Sequence, residues 1–383
     1  MKIGKVSESV LKRSVLRQLK TENRKVICGA GVGNDCALFA FSENSRVVSC
    51  VQEGVLKPGG QWGALGPGTQ GSGAENGRTE DECPTESLSY VTMSGLIQKC
   101  VNNLAVSSAA PVAVMIALIL PEAIEEPQIK ALMAEANKAC GAFGIQIAGG
   151  QTRVSGAVKA PIATVTGYGE LVENVDSGDS VPGKDATTGK VREKVTASWV
   201  QKRNPRPGQD IVLSKWIGLE GTAALAKTYS KELLTRYPAY LVEEAAGFDQ
   251  YLSIVEEAAA AVKSGVCAMH DASEGGIFTA LWEMAERAGV GLTIDLKKLP
   301  LRQETVEVCE FCNVNPYELK SGGCLLMTAE DGPGLVMALE AEGIPAVIVG
   351  KVTDSKDRIL INEDEVRYMD RPRTDEIYKT ENA

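Results

Sequence analysis

The sequence lacks several features that mark whole classes of protein. It contains one histidine, His270, and aromatic residues make up only 5% of its 383 positions. A metal centre built on several histidines is therefore excluded. No run of about 18 apolar residues occurs, which argues against a transmembrane helix, and the segment MKIGKVSESVLKRSVLRQLK is too polar for a signal peptide. We expect a cytoplasmic protein without a membrane partner.

Positively charged residues are fewer than negatively charged ones. The sequence has 40 Lys and Arg residues and 50 Asp and Glu residues, which gives a formal net charge of −10. Proteins that bind DNA or RNA regardless of sequence rely on Lys and Arg to neutralise phosphates, so we expect no nucleic-acid partner. Small anionic ligands remain compatible with this balance, because they need only a local basic or backbone-amide site.

The cysteine spacing gives little support for a disulfide scaffold or a zinc cluster. The ten cysteines are scattered, several of them inside apolar runs such as CALFAF and SGVCAM, which is typical of reduced, buried thiols. Cys309 and Cys312 form one isolated CxxC pair. Because a zinc site would need a second pair or a histidine, coincidental spacing is favoured, and a metal or redox role is the open alternative.

The chain is long enough for two domains, because one hydrophobic core usually stops growing at about 250–300 residues. Residues 1–173 interleave apolar strands with two helices and predict an α+β domain. Residues 174–207 are rich in Asp, Gly, Lys, Thr and Pro and predict a linker. Residues 208–370 alternate strands and helices, with one long helix over 241–263, and predict an α/β sandwich. Residues 371–383 predict a peripheral polar tail.

Residues 56–87 differ from their surroundings, because they are dense in Gly and Pro and poor in apolar residues. Loops of this length commonly serve as lids or binding segments, and a plain flexible insertion is the alternative. We expect this loop to order over a bound ligand.

Two motifs in the first half combine glycine, amide and carboxylate residues. In GAGVGNDCALFAF, Gly31 and Gly33 would let the backbone approach a polyphosphate. The next two residues are Asn34, a candidate phosphate contact, and Asp35, a candidate Mg²⁺ ligand. A simple hairpin turn is the alternative. In VNNLAVSSAAP, an amide pair that includes Asn103 opens an apolar helix, and N-capping is the alternative.

Two later motifs repeat this combination of glycine and polar residues. AGGQTRV places the glycine pair and the glutamine of residues 149–151 between two strands. HDASEGG ends a strand with His270 and Asp271 and opens a helix with Ser273 and Glu274. Here the aspartate could hold a metal while helix-terminal amides face a phosphate, and capping alone is the alternative.

The order of these motifs resembles that of the AIR synthase superfamily, which includes aminoimidazole ribotide synthetase, selenophosphate synthetase and thiamine-phosphate kinase. The shared order is GxGxDxA, a helix beginning VN(D)LA, a PxAxxxALxLP strand and GG(D)T, then HDxSxGG and SGGxLL. The resemblance runs over residues 26–353. VQEGVLKPGG, VNNLAVSSAAPVAVMIALILPE and GGQTRV look most like the hydrogenase-maturation, or HypE-like, branch.

The resemblance implies two α/β domains, with the N-terminal sheets of two subunits joined into a barrel across a homodimer. It also implies that ATP lies in a cleft and that its γ-phosphate passes, with Mg²⁺, to an oxygen or selenium atom of a small substrate. Such chemistry depends on positioning and on neutralisation of charge.

The sequence departs from the family where aspartates are usual. Asn34 replaces the first Asp of the glycine motif, Asn103 replaces the Asp of VNDL, and Gln151 replaces the Asp of GGDT. VSCVQEG likewise lacks the Asp of a TTD strand. Each change keeps an oxygen and removes a negative charge, so one Mg²⁺ could still bind with ATP whereas a second would be poorly compensated.

Two further departures concern the substrate. HypE proteins that dehydrate a carbamoyl group carry it on a C-terminal cysteine, but this chain ends DEIYKTENA, with no cysteine after Cys324. Selenophosphate synthetases carry an upstream cysteine and lysine, whereas Cys28 lies beside the glycine turn here. We therefore expect neither the cyanide-forming nor the selenophosphate-forming role.

Two functions stay open at this point. The first is an ATP-dependent enzyme that phosphorylates or dehydrates a small substrate, with Asp35 and Asp271 on Mg²⁺. The second is a non-catalytic nucleotide-binding or assembly protein. The residues assigned to nucleotide or phosphate are Gly31, Gly33, Asn34, Asn103, Gly149, Gly150, Gln151, Lys215, His270 and Ser273.

Overall fold

The computed structural model describes residues 26–28, 36–42, 45–57, 90–171 and 204–380, together with positions 8–10, 12, 16, 31, 32, 34 and 88. Most of the predicted loop 56–87 and of the predicted linker 174–207 lies outside these residues. Gly33 and Asp35 also lie outside them, so the roles assigned to both residues stay predictions.

Among the described residues, the first sheet has six strands in the order β1-β2-β3-β6-β4-β5. Its strands are β1 Val26–Cys28, β2 Cys36–Ser42, β3 Ser45–Val55, β4 Ala109–Leu120, β5 Gln146–Val154 and β6 Ile162–Leu171. Helix α1 spans Met93–Val106 and α2 spans Glu126–Ala142. β2 pairs with β3 antiparallel, whereas β4 and β5 are parallel and are connected through α2, as parallel strands require a crossover. The predicted α+β pattern is confirmed in this half.

In the part of the chain that the structure describes, the second sheet has seven strands in the order β13-β12-β9-β11-β7-β10-β8. Its strands are β7 Asp210–Ser214, β8 Ala268–Asp271, β9 Gly291–Asp295, β10 Leu325–Ala329, β11 Ala346–Thr353, β12 Arg358–Asn362 and β13 Glu365–Tyr368. The helices are α3 Leu219–Thr228, α4 Ser230–Arg236, α5 Ala239–Ala246, α6 Val255–Lys263, α7 Gly276–Ala288, α8 Gln303–Cys312 and α9 Gly332–Ala341. The pairings are antiparallel except between β12 and β9.

Helices cover both faces of this second sheet. On one face, Leu213 and Leu326 pack in a core cluster with Leu281 of α7. On the other face, Val212 packs with residues of α6 and α9, among them Leu335. Burial on both faces explains why β7 and β10 have near-continuous apolar sequences, and it gives the α/β sandwich that the sequence predicted.

Two predictions for the second half were wrong. The expected helix over 241–263 is two helices, α5 and α6, separated by a 3₁₀ turn at Gly247–Tyr251. The turn buries Phe248 completely against α3, which a continuous helix would not allow. The segment 371–383 was expected to be peripheral, yet Ile377 is fully buried, because a short 3₁₀ helix at Glu376–Lys379 packs onto the domain.

The chain divides into two compact units that do not follow the sequence boundaries. One unit contains Met1–Cys50, Asn102–Ala110 and Gly169–Ala383, and the other contains Val51–Val101 and Pro111–Tyr168. The end of α1 belongs to the first unit because its Ala105 and Val106 share a core cluster with the second sheet. No helix among the described residues is long and apolar enough to cross a bilayer.

Candidate functional site

The first two motifs meet in the first unit, where β2 begins beside α1. The backbone N–H of Asn34 donates to Gly31 O at 3.2 Å and closes the glycine turn. Two residues later, Cys36 Sγ donates to Asn103 O at 3.1 Å, and both Cys36 and Asn103 are buried. Asn34 and Asn103, two of the predicted phosphate contacts, thus belong to neighbouring segments.

Of the amide pair in α1, Asn102 makes contacts that the sequence did not predict. Its Nδ2 donates to Leu252 O at 2.9 Å, and its Oδ1 accepts from the N–H of Ile254 at 3.3 Å. Helix α1 begins at Met93, so neither Asn102 nor Asn103 is an N-cap or a first-turn residue. The expected position of the pair at the helix start was wrong, because the buried apolar face of α1 begins well before it.

Lys215 lies inside the fold instead of facing a ligand. Its Nζ donates to Tyr251 O at 2.8 Å and to Ser253 O at 2.6 Å, and it forms an ion pair with Glu257. The side chains of Lys215 and Glu257 are 9% and 5% exposed. Because an ammonium group has three donors and all three are engaged here, the geometry opposes the predicted role of Lys215 as a phosphate cation and gives it a structural one.

The glycine pair of HDASEGG makes a tight turn before α7. Gly275 and Gly276 have φ values of 83° and 68°, a region that favours glycine. A Cβ on Gly276 would lie 2.5 Å from Tyr317 O, so no side chain fits. Helix α7 therefore begins at Gly276, later than predicted, and the half-buried Ser273 and Glu274 belong to the preceding loop.

His270 and Asp271 end β8 and are buried. His270 Nδ1 donates to Asp271 O at 2.8 Å, and because a carbonyl only accepts, Nδ1 carries a proton. The other nitrogen, Nε2, lies 3.5 Å from Glu283 Oε2 on α7. His270 thus faces a carboxylate, an arrangement that does not favour a phosphate at the same nitrogen.

The SGG segment at 321–323 connects the fourth motif to its surroundings. Ser321 is fully buried, and its Oγ accepts from the N–H of Gly218 at 2.8 Å while its own N–H donates to Ser273 O at 3.1 Å. Cys324 O then accepts from the N–H of Ala272 at 3.2 Å. Ser321 was not among the predicted site residues, although its place before two glycines was an available signal.

Contacts also connect the second motif with the fourth. The loop that Asn102 binds supplies the carbonyls that hold Lys215, and a Cβ on Gly323 would lie 2.5 Å from Tyr251 O of that loop. Gly323 precedes Cys324, whose carbonyl oxygen accepts from the N–H of Ala272, the residue after Asp271. The segments carrying Asn34, Asn103 and Asp271 therefore share one network in the first unit.

The third motif lies in the second unit, inside β5 and not between two strands. Parallel pairing with β4 continues through Gly149, Gly150 and Gln151 to the end of β5, and all three residues are exposed. Gly150 has φ 149°, and a Cβ there would lie 1.8 Å from Ile116 O. The close approach of β4 therefore requires this glycine on packing grounds alone.

Thiol chemistry at the CxxC pair is disfavoured. Burial raises the pKa of the Cys309 thiol to about 12 and that of the Cys312 thiol to about 11. Both groups are therefore protonated near neutral pH, whereas metal binding and nucleophilic attack use the thiolate. Within the described ranges, no three His, Cys, Asp or Glu side chains gather closely enough to hold a metal ion.

Two protein-family models match this chain. Residues 94–171 match the AIR synthase related protein, N-terminal domain, and residues 206–362 match the AIR synthase related protein, C-terminal domain. Among curated proteins, the carbamoyl dehydratase HypE of Rhodobacter capsulatus is 29% identical over 265 residues, which cover 67% of this chain and 69% of that protein.

Solved structures show the same fold. The hydrogenase maturation protein HypE of E. coli has a TM-score of 0.60 at 19% identity, covering 93% of this chain and 95% of that chain. A hydrogenase maturation protein HypE in complex with ATP has a TM-score of 0.58 at 17% identity, covering 98% and 97%. The two family models together match more than half of the sequence. The chain therefore belongs to the AIR synthase related family, where its similarity lies with the HypE-like branch.

Proposed function

We propose that this protein is an ATP-dependent enzyme that phosphorylates the oxygen of a carbamoyl or related carboxamide group and thereby activates it for dehydration. The observation that carries the proposal is the likeness to the carbamoyl dehydratase HypE of Rhodobacter capsulatus over 265 residues. The ATP complex of a HypE protein with the same fold supports ATP as the co-substrate.

The reaction balances as follows. The carboxamide oxygen attacks the γ-phosphorus of ATP and ADP leaves. The phosphorylated oxygen then departs as phosphate while the nitrogen loses its protons, so that amide and ATP give nitrile, ADP and phosphate. The protein's contribution to such a reaction is positioning and stabilisation of charge.

The residues fit one Mg²⁺ ion better than two. Mg²⁺ in nucleotide sites usually binds one or two carboxylates together with phosphate oxygens and waters. Asp271, buried at the end of β8, would supply one carboxylate, and the buried Asn103, whose backbone carbonyl accepts from Cys36 Sγ, would supply a neutral amide oxygen. The metal, when bound, would neutralise charge on the phosphates, while Asp271 and Asn103 orient it.

The sequence opposes a cyanide-forming role that depends on a carrier cysteine of this chain, so the substrate is proposed to arrive as a separate molecule or on a carrier. Among the cysteines whose side chains the structure describes, only Cys312 is partly exposed, and the pKa of its thiol is raised to about 11. Cys324 is fully buried, and burial raises the pKa of its thiol to about 12. Neither thiol is suited to accept a carbamoyl group.

A non-catalytic nucleotide-binding protein is the second candidate, favoured by the neutral Asn103 and Gln151 at positions where the resemblance to the family motifs implies aspartate. The two candidates separate in a single assay that follows ADP release with ATP, Mg²⁺ and a panel of thiocarbamates and carboxamides, alongside calorimetric binding of AMPPNP. ADP release that requires a panel member supports the enzyme. Binding of AMPPNP without turnover supports the second candidate, and the absence of both overturns the nucleotide proposal.

We also propose a homodimer built on the first sheet. The inward side chains of β4 are buried, while Val112, Met115 and Ile119 on the same strand are 54%, 43% and 37% exposed. Val51 of β3 is likewise exposed, at 56%. Exposed apolar patches on a sheet usually mark an interface. Light scattering tests the proposal, because Met115→Lys should shift a dimer toward monomers, and a monomeric parent protein would contradict it.

A further inference from the structure

The segment that follows β13 returns to the HDASEGG turn through one carboxylate, Asp375. The residue is 3% exposed. Oδ2 accepts from the N–H of Gly275 at 2.6 Å, and Oδ1 accepts from the N–H groups of Ile377 at 3.0 Å and Lys320 at 3.3 Å. One carboxylate thus joins three chain segments that lie about 50 to 100 residues apart in sequence.

The neighbouring residues strengthen this attachment. Glu376 Oε2 accepts from the N–H of Asn315 at 3.0 Å, and the N–H of Glu376 donates to Glu318 O at 3.2 Å. Tyr378 OH donates to Glu274 Oε1 at 3.4 Å. Residues 375–378 therefore hold both the loop 315–321 and the turn before α7.

Burial of Asp375 disfavours its charged form. Burial, the largest influence, raises the pKa of the carboxyl to about 6, and the bonds from Ile377 and Gly275 and the charge of Lys320 oppose the rise. The carboxylate of Glu274 raises the pKa further. A buried carboxylate that accepts several amide bonds is a strong local anchor, because charged acceptors make stronger hydrogen bonds than neutral ones.

We propose that Asp375 is a positioning residue that holds the Gly275–Gly276 turn and the loop around Lys320 in the arrangement required for nucleotide binding. The proposal rests on the proposed function, since it assumes that HDASEGG serves a nucleotide. Gly275 and Gly276 have left-handed backbones and no side chains through which the turn could be anchored. The N–H of Gly275 donates to Asp375 Oδ2, so Asp375 supplies a charged acceptor from outside the turn.

The test uses the full chain and three single variants. Asp375→Asn keeps the shape but replaces one acceptor oxygen with an NH₂ group, which cannot accept from an amide. Asp331→Asn is the matched control, because Asp331 accepts from the N–H of Gly334 at the start of α9. Tyr378→Phe removes only the hydroxyl that contacts Glu274. This variant is measured in place of Asp375→Asn if Asp375→Asn does not fold.

Two measurements are made under conditions where thermal melts show every protein to be folded. Hydrogen–deuterium exchange in peptides covering 273–279 and 318–322 should be about tenfold faster in Asp375→Asn and unchanged in Asp331→Asn, as expected from the loss of a strong local hydrogen bond. The Kd for AMPPNP should rise about tenfold in Asp375→Asn, which corresponds to a loss of about 1.4 kcal/mol in binding free energy. Tyr378→Phe should show smaller changes in the same direction.

Unchanged exchange in Asp375→Asn would overturn the positioning role. Faster exchange with an unchanged Kd would show that the turn is held but is not used for nucleotide, which also overturns the proposal. A parent protein that does not bind AMPPNP would instead refute the proposed function, and the exchange data would then decide the positioning of the turn alone.

Discussion

Removal of the Lys215 ammonium should destabilise the protein strongly without a direct effect on nucleotide contacts. Lys215→Met leaves the Glu257 carboxylate, whose side chain is 5% exposed, without its cation, and leaves the carbonyls of Tyr251 and Ser253 without their donor. Breaking a buried ion pair by removing one partner typically costs about 3–5 kcal/mol. We expect a loss of about 4 kcal/mol in the free energy of unfolding, measured by urea titration.

The matched control is Lys227→Met, because Lys227 pairs with Asp249 and the side chains are 48% and 55% exposed. Exposed pairs contribute at most about 1 kcal/mol, so this change should move the unfolding transition little. A cost below about 1 kcal/mol for Lys215→Met would refute the structural role. Normal stability combined with lost AMPPNP affinity would restore Lys215 as a phosphate cation.

Three further outcomes are expected. Gly150→Ala should lower the free energy of unfolding by about 2 kcal/mol or more in a thermal melt, since its Cβ would lie 1.8 Å from a backbone oxygen of β4, whereas Gly141→Ala, with nothing within 4 Å, should be neutral or slightly stabilising. Asn103→Asp combined with Gln151→Asp should strengthen the Mg²⁺ dependence of AMPPNP binding in calorimetry, and equal Mg²⁺ dependence in both proteins would show that these positions do not face the metal. Because the pKa of Asp375 is raised from 3.8 to about 6 in the folded state, the fold binds this proton more tightly, so its contribution to stability should fall by up to about 3 kcal/mol as pH rises from about 4 to about 6. The difference in unfolding free energy between parent and Asp375→Asn should show this slope, and a constant difference would contradict it.

The site was partly predictable because each motif has a local requirement. The φ values of Gly275 and Gly276 and the close approach at Gly150 explain why glycine occurs there, and the sequence displays such positions directly. What those glycines serve was not predictable in the same way. Gly150 is explained by its packing against β4, and the helix after HDASEGG starts at the second glycine instead of at Ser273.

The roles of residues whose partners lie far away in the chain were not predicted from the sequence. Asn102 contacts the backbone 150 residues further along the chain, and Asp375 contacts Gly275 across 100 residues. Lys215 was predicted to be a phosphate cation, whereas its contacts are with residues 36 to 42 positions further along the chain. No local pattern specifies such partners, because they are selected by packing.

The sequence by itself determined the family, the two α/β halves and most strand positions, since motif order, apolar runs and glycine placement are properties of short segments. Only the tertiary structure decided that the end of α1 packs with the second sheet, that the helix predicted over 241–263 breaks at Gly247, and that the polar end of the chain is anchored at Asp375. The physical reason is the same in each case. Burial of Val106, Phe248 and Ile377 against residues far away in sequence outweighs the local preference for a simple boundary, a continuous helix or an exposed tail.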